Sequence, residues 1–314
     1  MKSISYFIIL ALIAVMTLQV ANAEEKAMIV YLKSGEAVQY RLSDVDSIVY
    51  DKYRTYLNGY EYVDLGLSVK WATCNVGAQS SEEAGYYIAW GDTVGYVDFE
   101  VDERAFTWDT YKYSKGSNQT LTKYCDRPEY GCVAVEATDS TEAVRYTDEL
   151  SSLVADDDAA LRYMGEGWRI PTRKEMIELK NKCYWEWTNS YAGTGVNGYI
   201  VYRAKAEGDK GKFSYDKPVF DAEYTLNDTH IFLPAAGYRR GEGGVNTTNF
   251  NKAGVWSYGK MGNYWSSDLR ANEPYKAYYH NFSETTGRNE IGIAERCWGR
   301  SVRAVCDVAD VAEE

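Results

Sequence analysis

Residues 167–179, Gly-Trp-Arg-Ile-Pro-Thr-Arg-Lys-Glu-Met-Ile-Glu-Leu, constrain the fold more than any other stretch of this chain. Trp168 and Ile170 alternate with Arg169, so they share one face of a short strand. Pro171 cannot donate to a ladder and holds φ at about −65°, which ends the strand and suits a helix entrance. Thr172 and Glu175 then form a T-x-x-E capping box, each side chain satisfying a backbone donor at the helix start. Met176, Leu179 and Cys183 follow at i, i+3 and i+7 as an apolar stripe, with Arg173, Lys174, Glu178 and Lys180 turned mostly outward. The stretch reads as a strand-to-helix corner in a core, its charges solvated.

The first 23 residues read as a secretory signal. Lys2 supplies the positive start, residues 6–18 the apolar segment, and Ala21-Asn22-Ala23 the small-x-small cleavage signature. The apolar segment is too short for a permanent span, and no other long apolar run follows, so no transmembrane anchor is expected. No Cys near the cleavage site supports a lipoprotein route. The expected location is outside the cytoplasm: periplasm, cell surface or secreted. The formal net charge of −12, with Lys and Arg scattered, argues against nucleic acid, whose phosphates demand a basic stripe. It argues equally against an anionic membrane surface.

Aromatic usage is unusual: 29 Tyr and 9 Trp stand against 8 Phe. Tyr and Trp join an apolar body to a polar tip, which suits half-buried strands and binding surfaces alike. Six Cys in an exported chain permit disulfides, and six allow 15 connectivities. Cys125 with Cys132, and Cys297 with Cys306, are near enough in sequence to close small loops. Cys74 and Cys183 sit among apolar residues. No C-x-x-C is present, so neither a zinc ribbon nor a thioredoxin-type site is supported.

Residues 24–52 read as a small β unit: a strand at 28–32, a turn at 33–36, a return strand at 37–42, a helical turn begun by Ser43, and a strand at 47–50. So short a segment cannot bury a core alone. The main domain is expected at 57–308. Val63, Leu65, Leu67, Val69 and Trp71 alternate strictly and predict one half-buried strand; residues 85–90 predict a second. Residues 93–150 predict long loops. Asp156, Asp157 and Asp158 open a short helix to Met164, acidic residues suiting its positive end. Further strands are expected at 184–188, 199–202, 231–239, 254–258, 262–267, 277–282 and 301–306. Helix is a minor share, so the class is α+β.

Six landmarks in order carry a resemblance over residues 60–306. They are Val-Asp-Leu-Gly-Leu-Ser-Val-Lys-Trp-Ala at 63–72, Ala-Trp-Gly-Asp at 89–92 and Gly-Trp-Arg-Ile-Pro-Thr at 167–172. Phe-Leu-Pro-Ala-Ala-Gly-Tyr-Arg at 232–239, Tyr-Trp-Ser-Ser at 264–267 and Ser-Val-Arg-Ala-Val at 301–305 complete the set. Together they resemble the Fibrobacter succinogenes major paralogous domain family, a C-type-lectin-like fold of exported Bacteroides-type proteins. The resemblance implies a twisted antiparallel sheet, two short helices and long loops that carry recognition. It implies no reaction, because fold does not fix function. Residues 24–52 likewise resemble a short β module found just after the signal in such proteins.

Two relatives of that fold supply alternatives. Formylglycine-generating enzymes carry a similar corner, matched at 169–175, but their copper-binding Cys pair is closely spaced, whereas Cys297 and Cys306 lie nine apart. Retroelement-diversified receptors place variable Tyr and Asn residues on the last third of the fold. Residues 263–303 resemble that region, and Tyr264, Trp265, Asn272, Tyr275, Tyr278 and Asn281 are the ligand-binding candidates there. Calcium lectins of this fold use Glu-Pro-Asn and Trp-Asn-Asp sets. Here Asn272-Glu273-Pro274 and Ser267-Asp268 hold similar types in the wrong order, so no metal is expected.

Signatures of catalysis are few. His230 and His280 are isolated in sequence, and no nucleophile elbow, His-Glu-x-x-His or phosphate loop is present. Glu186 between Trp185 and Trp187 is the one carboxylate with an aromatic flank, and alternation turns it toward solvent. No cofactor is implied. Asp92-Thr93-Val94, Asp139-Ser140-Thr141 and Asp46-Ser47-Ile48 fit an O-glycosylation pattern of Bacteroides-type exported proteins. The expectation is a non-catalytic recognition protein at the surface, binding a glycan or protein ligand. An assembly subunit of adhesin or fimbria type, or a modifying enzyme, is the alternative.

Overall fold

The computed structural model describes residues 27–31, 37–44, 54–97, 103–132, 147–214, 221–241, 250–252, 254–284 and 289–307. The signal at 1–23, the turn at 33–36 and the strand expected at 47–50 lie outside them. The chain divides into two units, Met1–Lys52 and Tyr53–Glu314. In the first, β1 (Ala27–Tyr31) and β2 (Ala37–Arg41) pair antiparallel, followed by a 3-10 turn at Leu42–Asp44. Ile29, Val38, Tyr40 and Leu42 are exposed, as two strands enclose nothing.

The second unit is α+β. It begins with β3 (Arg54–Leu57), β4 (Tyr60–Val63) and β5 (Lys70–Ala72), then α1 (Ala159–Met164), β6 (Trp168–Arg169) and α2 (Arg173–Lys182). Next come β7 (Cys183–Thr188), β8 (Gly198–Arg203), β9 (Phe213–Ser214) and β10 (His230–Pro234). The chain closes with β11 (Phe250–Lys252), β12 (Val255–Trp256), β13 (Met261–Leu269), β14 (Lys276–Ser283), β15 (Asn289–Glu295) and β16 (Val305–Cys306). Strands β3-β4-β5-β16-β6 form one antiparallel sheet, β13-β14-β15 another, and β10-β8-β7-β9 a third in which only β7 and β9 run parallel. β11 and β12 form a separate pair. No helix among the described residues is long and apolar enough to cross a membrane.

The 167–179 corner forms as its residues dictate. Glu175 N–H donates to Thr172 Oγ1 at 3.2 Å and Thr172 N–H to Glu175 Oε2 at 2.7 Å, closing the capping box. Met176, Leu179 and Cys183 are buried. Arg169, expected in solvent, instead forks onto Glu175 at 2.8 and 2.6 Å and onto Asp307 at 3.0 and 2.9 Å. The helix expected from Asp156 starts later. Ala155–Asp157 is a 3-10 turn, and Asp158 caps α1 by accepting from Ala160 N and Leu161 N. Its second oxygen accepts from Ile170 N at 2.8 Å, tying α1 to the corner.

Strands of the second unit bury side chains on both faces. Successive strand residues point to opposite faces, and here each face feeds its own cluster. Tyr62, Ala72, Trp265 and Cys306 enter one; Val63, Trp71, Tyr264 and Val305 enter another. Likewise β7 sends Trp185 and Trp187 into the second cluster and Tyr184 into a third, with Ile200, Tyr202 and Phe232. α2 packs over β13, β14 and β15.

Five strand expectations change: the run 231–239 pairs as a strand only within β10, and 254–258 only at β12. Residues 63–71 are not continuous: Gly66 N donates to Asp64 Oδ1 at 2.7 Å with Gly66 φ at +72°, a turn that splits the run into β4 and β5. The alternating side chains Val63, Leu65, Val69 and Trp71 remain buried. Residues 85–90 make only single bridges, Tyr87 to Tyr96 and Ile88 to Arg300. Residues 301–306 pair as a strand only at β16.

All six cysteines are thiols, so the pairings Cys125–Cys132 and Cys297–Cys306 do not form. Cys125 Sγ donates to Arg127 O at 3.0 Å. Cys297 and Cys306 pack into different apolar clusters.

Candidate functional site

The residues proposed from sequence separate into two groups. Tyr264 and Trp265 are core: Tyr264 OH donates to Pro234 O at 2.7 Å and Trp265 Nε1 to Ile88 O at 2.8 Å. Burial raises the Tyr264 phenol to about 12. Asn281 is also buried, opposite Asn263 on the neighbouring strand. All three sit mid-strand with buried side chains, so none offers a surface to a ligand.

Asn272, Tyr275 and Tyr278 gather near the β13–β14 turn. Asn272 is exposed with φ at +65°, and its N–H donates to Asp126 Oδ2 at 3.0 Å. Tyr275 OH donates to Glu273 Oε1 at 3.1 Å while its ring lies 5.2 Å from Tyr130. Tyr278 OH accepts from Arg270 Nη1 at 2.8 Å, and Arg173 sits 4.4 Å over its ring. The oxygens a calcium lectin would need are engaged. Glu273 accepts from Lys276 and Arg270, and Asp268 from the Arg173 N–H. Among the described residues no group of three or more His, Cys, Asp or Glu side chains is placed to hold a metal.

A different set converges from four segments. Tyr238 follows β10, Trp256 closes β12, Tyr279 lies in β14, and Trp298 and Arg300 follow β15. Tyr238 and Trp298 stack at 5.8 Å with an 18° interplanar angle. Arg240 lies 4.3 Å over Trp256, 5.1 Å over Trp298 and 5.8 Å over Tyr238. On the other side, Arg300 lies 3.7 Å over Tyr279, 4.9 Å over Trp265, 5.1 Å over Tyr238 and 5.6 Å over Trp298. The result is a ladder of alternating rings and guanidiniums. Trp256, Arg240, Tyr238, Trp298 and Tyr279 are half-buried and reach the surface; Arg300, 1 % exposed, is its buried rung. Arg300 Nη1 donates to Asn263 Oδ1 at 2.7 Å. Each cation–π contact contributes about 0.5–2 kcal/mol, more where water is excluded.

The scaffold fixes the ladder through backbone. Tyr238 pairs with Trp256, and Gly237, at φ +67°, lies so close that a Cβ would come within 2.3 Å of Trp256 O. Gly299 N donates to Arg239 O at 2.8 Å and Arg239 N to Gly299 O at 2.8 Å, which clamps Trp298 beside Tyr238. Gly292 leaves room for the Tyr279 ring to cross β15; a Cβ there would sit 2.8 Å from it. Burial first, and Arg240 among the charges, lower the Arg300 guanidinium to about 10, so it stays a cation at neutral pH. Below the ladder, Arg303 donates to Asn75 Oδ1, Ala72 O, Thr73 O and Phe232 O, joining the first sheet to β10.

A recess of about 150 Å³ lies beside these segments, lined by Ala84, Asn197, Pro234, Ala236, Tyr258 and Gly259 among others. Tyr258 is the one ionisable residue in its lining, so the recess has no acid–base pair.

The remaining titratable groups are structural in their contacts. His280, lowered to about 4 by burial, meets Asn289 Oδ1 through Nε2 and packs edge-on to Trp185. His230 sets Nδ1 against Asp228 O at 2.6 Å and Nε2 against Tyr191 OH at 3.0 Å. Glu186 is half-buried beside Tyr202 rather than in solvent, and burial raises its carboxyl. Asp157 accepts from Lys112, Lys123, Tyr113 and Tyr124, and despite burial these donors lower it to about 2.

Sequence reading passed over Tyr238, Arg240, Trp256, Trp298 and Arg300. Their one local signal is arginine in aromatic-rich company, Tyr238-Arg239-Arg240 and Trp298-Gly299-Arg300. No protein-family model, curated protein or solved structure matches the chain.

Proposed function

We propose that this is an exported, non-catalytic recognition protein that binds a glycan at the aromatic–guanidinium ladder. One observation carries the reading: three half-buried rings from three segments, Tyr238, Trp256 and Trp298, gather around the Arg240 guanidinium. Tyr and Trp offer large contact area at low conformational cost, and Arg and Asn supply directional donors.

The C-type-lectin-like fold of the Fibrobacter succinogenes major paralogous type is part of the same proposal. Its support is that the landmark segments 63–72, 167–172 and 301–305 meet in one sheet, where Val305 lies opposite Trp71 on one side and Arg169 on the other. Export to the periplasm, cell surface or medium rests on residues 1–23. The assembly-subunit reading has one observation of its own, the exposed Ile29, Val38 and Tyr40 on the first unit's two strands and Leu42 in the turn after them.

A glycan and protein array on the mature chain, with and without EDTA, separates these readings. EDTA-independent glycan binding is expected. Protein binding alone moves the ligand class, and EDTA-sensitive binding revives a calcium lectin. No binding, with assembly that depends on residues 24–52, favours the subunit.

A further inference from the structure

Arg240 lacks the carboxylate partner that many cations of the chain have. Lys112, Lys123, Lys182, Lys205, Arg270 and Lys276 each pair with a carboxylate. Arg240 forms neither an ion pair nor a side-chain hydrogen bond among the described residues; its contacts are the three rings beneath it. Five N–H donors on a half-buried guanidinium are therefore left to solvent.

A second observation lies behind it. Arg300, 1 % exposed, leaves Nε without an acceptor. Asn263 Nδ2 and Asn281 Oδ1, buried opposite each other on β13 and β14, are also unpartnered. Arg240 and Arg300 both contact the stacked Tyr238–Trp298 pair, so two like charges share one aromatic rung. Neither has a carboxylate partner among the described residues. Like charges in partly desolvated surroundings repel, and an anion placed against them removes that repulsion.

We propose that Arg240 anchors an anionic group of the ligand, so that the glycan recognised is an acidic saccharide bearing a carboxylate or sulfate. This rests on the recognition reading above and specifies its ligand. The planar fork of Arg240 matches either group bidentately, and stacking on Trp256 and Trp298 pre-orders the fork. Arg300 remains behind the rings and adds positive potential without touching the ligand.

The test uses the full mature chain and three probes: a uronic-acid oligosaccharide, its carboxyl-reduced neutral counterpart, and a sulfated oligosaccharide of matched length. Titration calorimetry gives each affinity at low and high salt. The expected result is at least tenfold tighter binding of an acidic probe than of the reduced one, with the preference falling as salt rises. Whether the uronate or the sulfate leads tells carboxylate from sulfate. Arg240→Gln is expected to bring the acidic-to-neutral ratio close to one, and Arg240→Lys to retain part of it. Equal binding of acidic and reduced probes, or an unchanged ratio in Arg240→Gln, overturns the charge inference while leaving glycan recognition standing. Failure of the wild-type chain to bind any glycan overturns both.

Discussion

Replacing Asp157 with Asn tests how the long 103–132 segment is held to the start of α1. The Asp157 side chain is 3 % exposed and accepts from two lysines and two tyrosines. The lysines retain solvent, Lys112 at 38 % and Lys123 at 28 %, so each lost ion pair costs only about 0–1 kcal/mol. Tyr124 is fully buried, and its hydroxyl donates to Asp157 at 2.7 Å while accepting from Val154 N at 3.0 Å. Depriving that donor of a charged acceptor costs about 1–3 kcal/mol. The total is roughly 1–5 kcal/mol, which for a unit of this size lowers Tm by about 2–10 °C. Calorimetric melts of Asp157→Asn, Tyr124→Phe and the double variant give the coupling directly, expected at about 1–2 kcal/mol. A Tm change under about 1 °C, or strict additivity, would show that the carboxylate does not hold this segment.

The same carboxylate makes stability pH-dependent. Its folded pKa of about 2 lies below the ordinary carboxylate range, so its contribution is present above about pH 4 and lost as pH falls toward 2. The drop from 3.8 to about 2 is worth roughly 2 kcal/mol, reduced to about 1 by solvent around the lysines. Denaturant titrations should show the gap between wild type and Asp157→Asn closing over that window. Gly237→Ala forces a Cβ against Trp256 O at a positive φ, so it should cost over 2 kcal/mol and loosen the ladder, read by near-UV circular dichroism. Arg303→Lys cannot reproduce four fixed hydrogen bonds; a loss of about 2–4 kcal/mol is expected in urea unfolding. Trp265→Ala should cost about 3–5 kcal/mol as a core truncation, whereas Tyr278→Ala should cost under 1 kcal/mol.

Much of the scaffold was legible where local chemistry decides structure. The Thr172–Glu175 box, Pro171 and the Met176–Leu179 stripe specify the corner because each acts within one helical turn. Periodicity also identified the buried side chains of residues 63–71. It missed the break, because one Asp64 oxygen and Gly66 override strand propensity locally. β15 was not expected at all: Glu290, Gly292 and Glu295 weaken its strand signal, and it forms because Tyr279 packs over Gly292. Of the six ligand-binding candidates, Tyr264, Trp265 and Asn281 are buried, and Asn272, Tyr275 and Tyr278 lie near the β13–β14 turn. Residue type alone cannot tell which face of β13 or β14 is covered, and here both bury side chains. The ladder draws on residues separated by up to 62 positions, Tyr238 to Arg300, and such contacts leave little local trace.

The central claim, that ligand is read at the ladder, is tested most directly by the dissociation constant of Tyr238→Ala for the best-binding probe, measured beside Tyr278→Ala in variants whose melts match wild type. A loss of at least tenfold in Tyr238→Ala, about 1.4 kcal/mol, with Tyr278→Ala within twofold of wild type, is the expected result. Unchanged binding in Tyr238→Ala together with loss in Tyr278→Ala would place recognition at the β13–β14 turn and contradict the account.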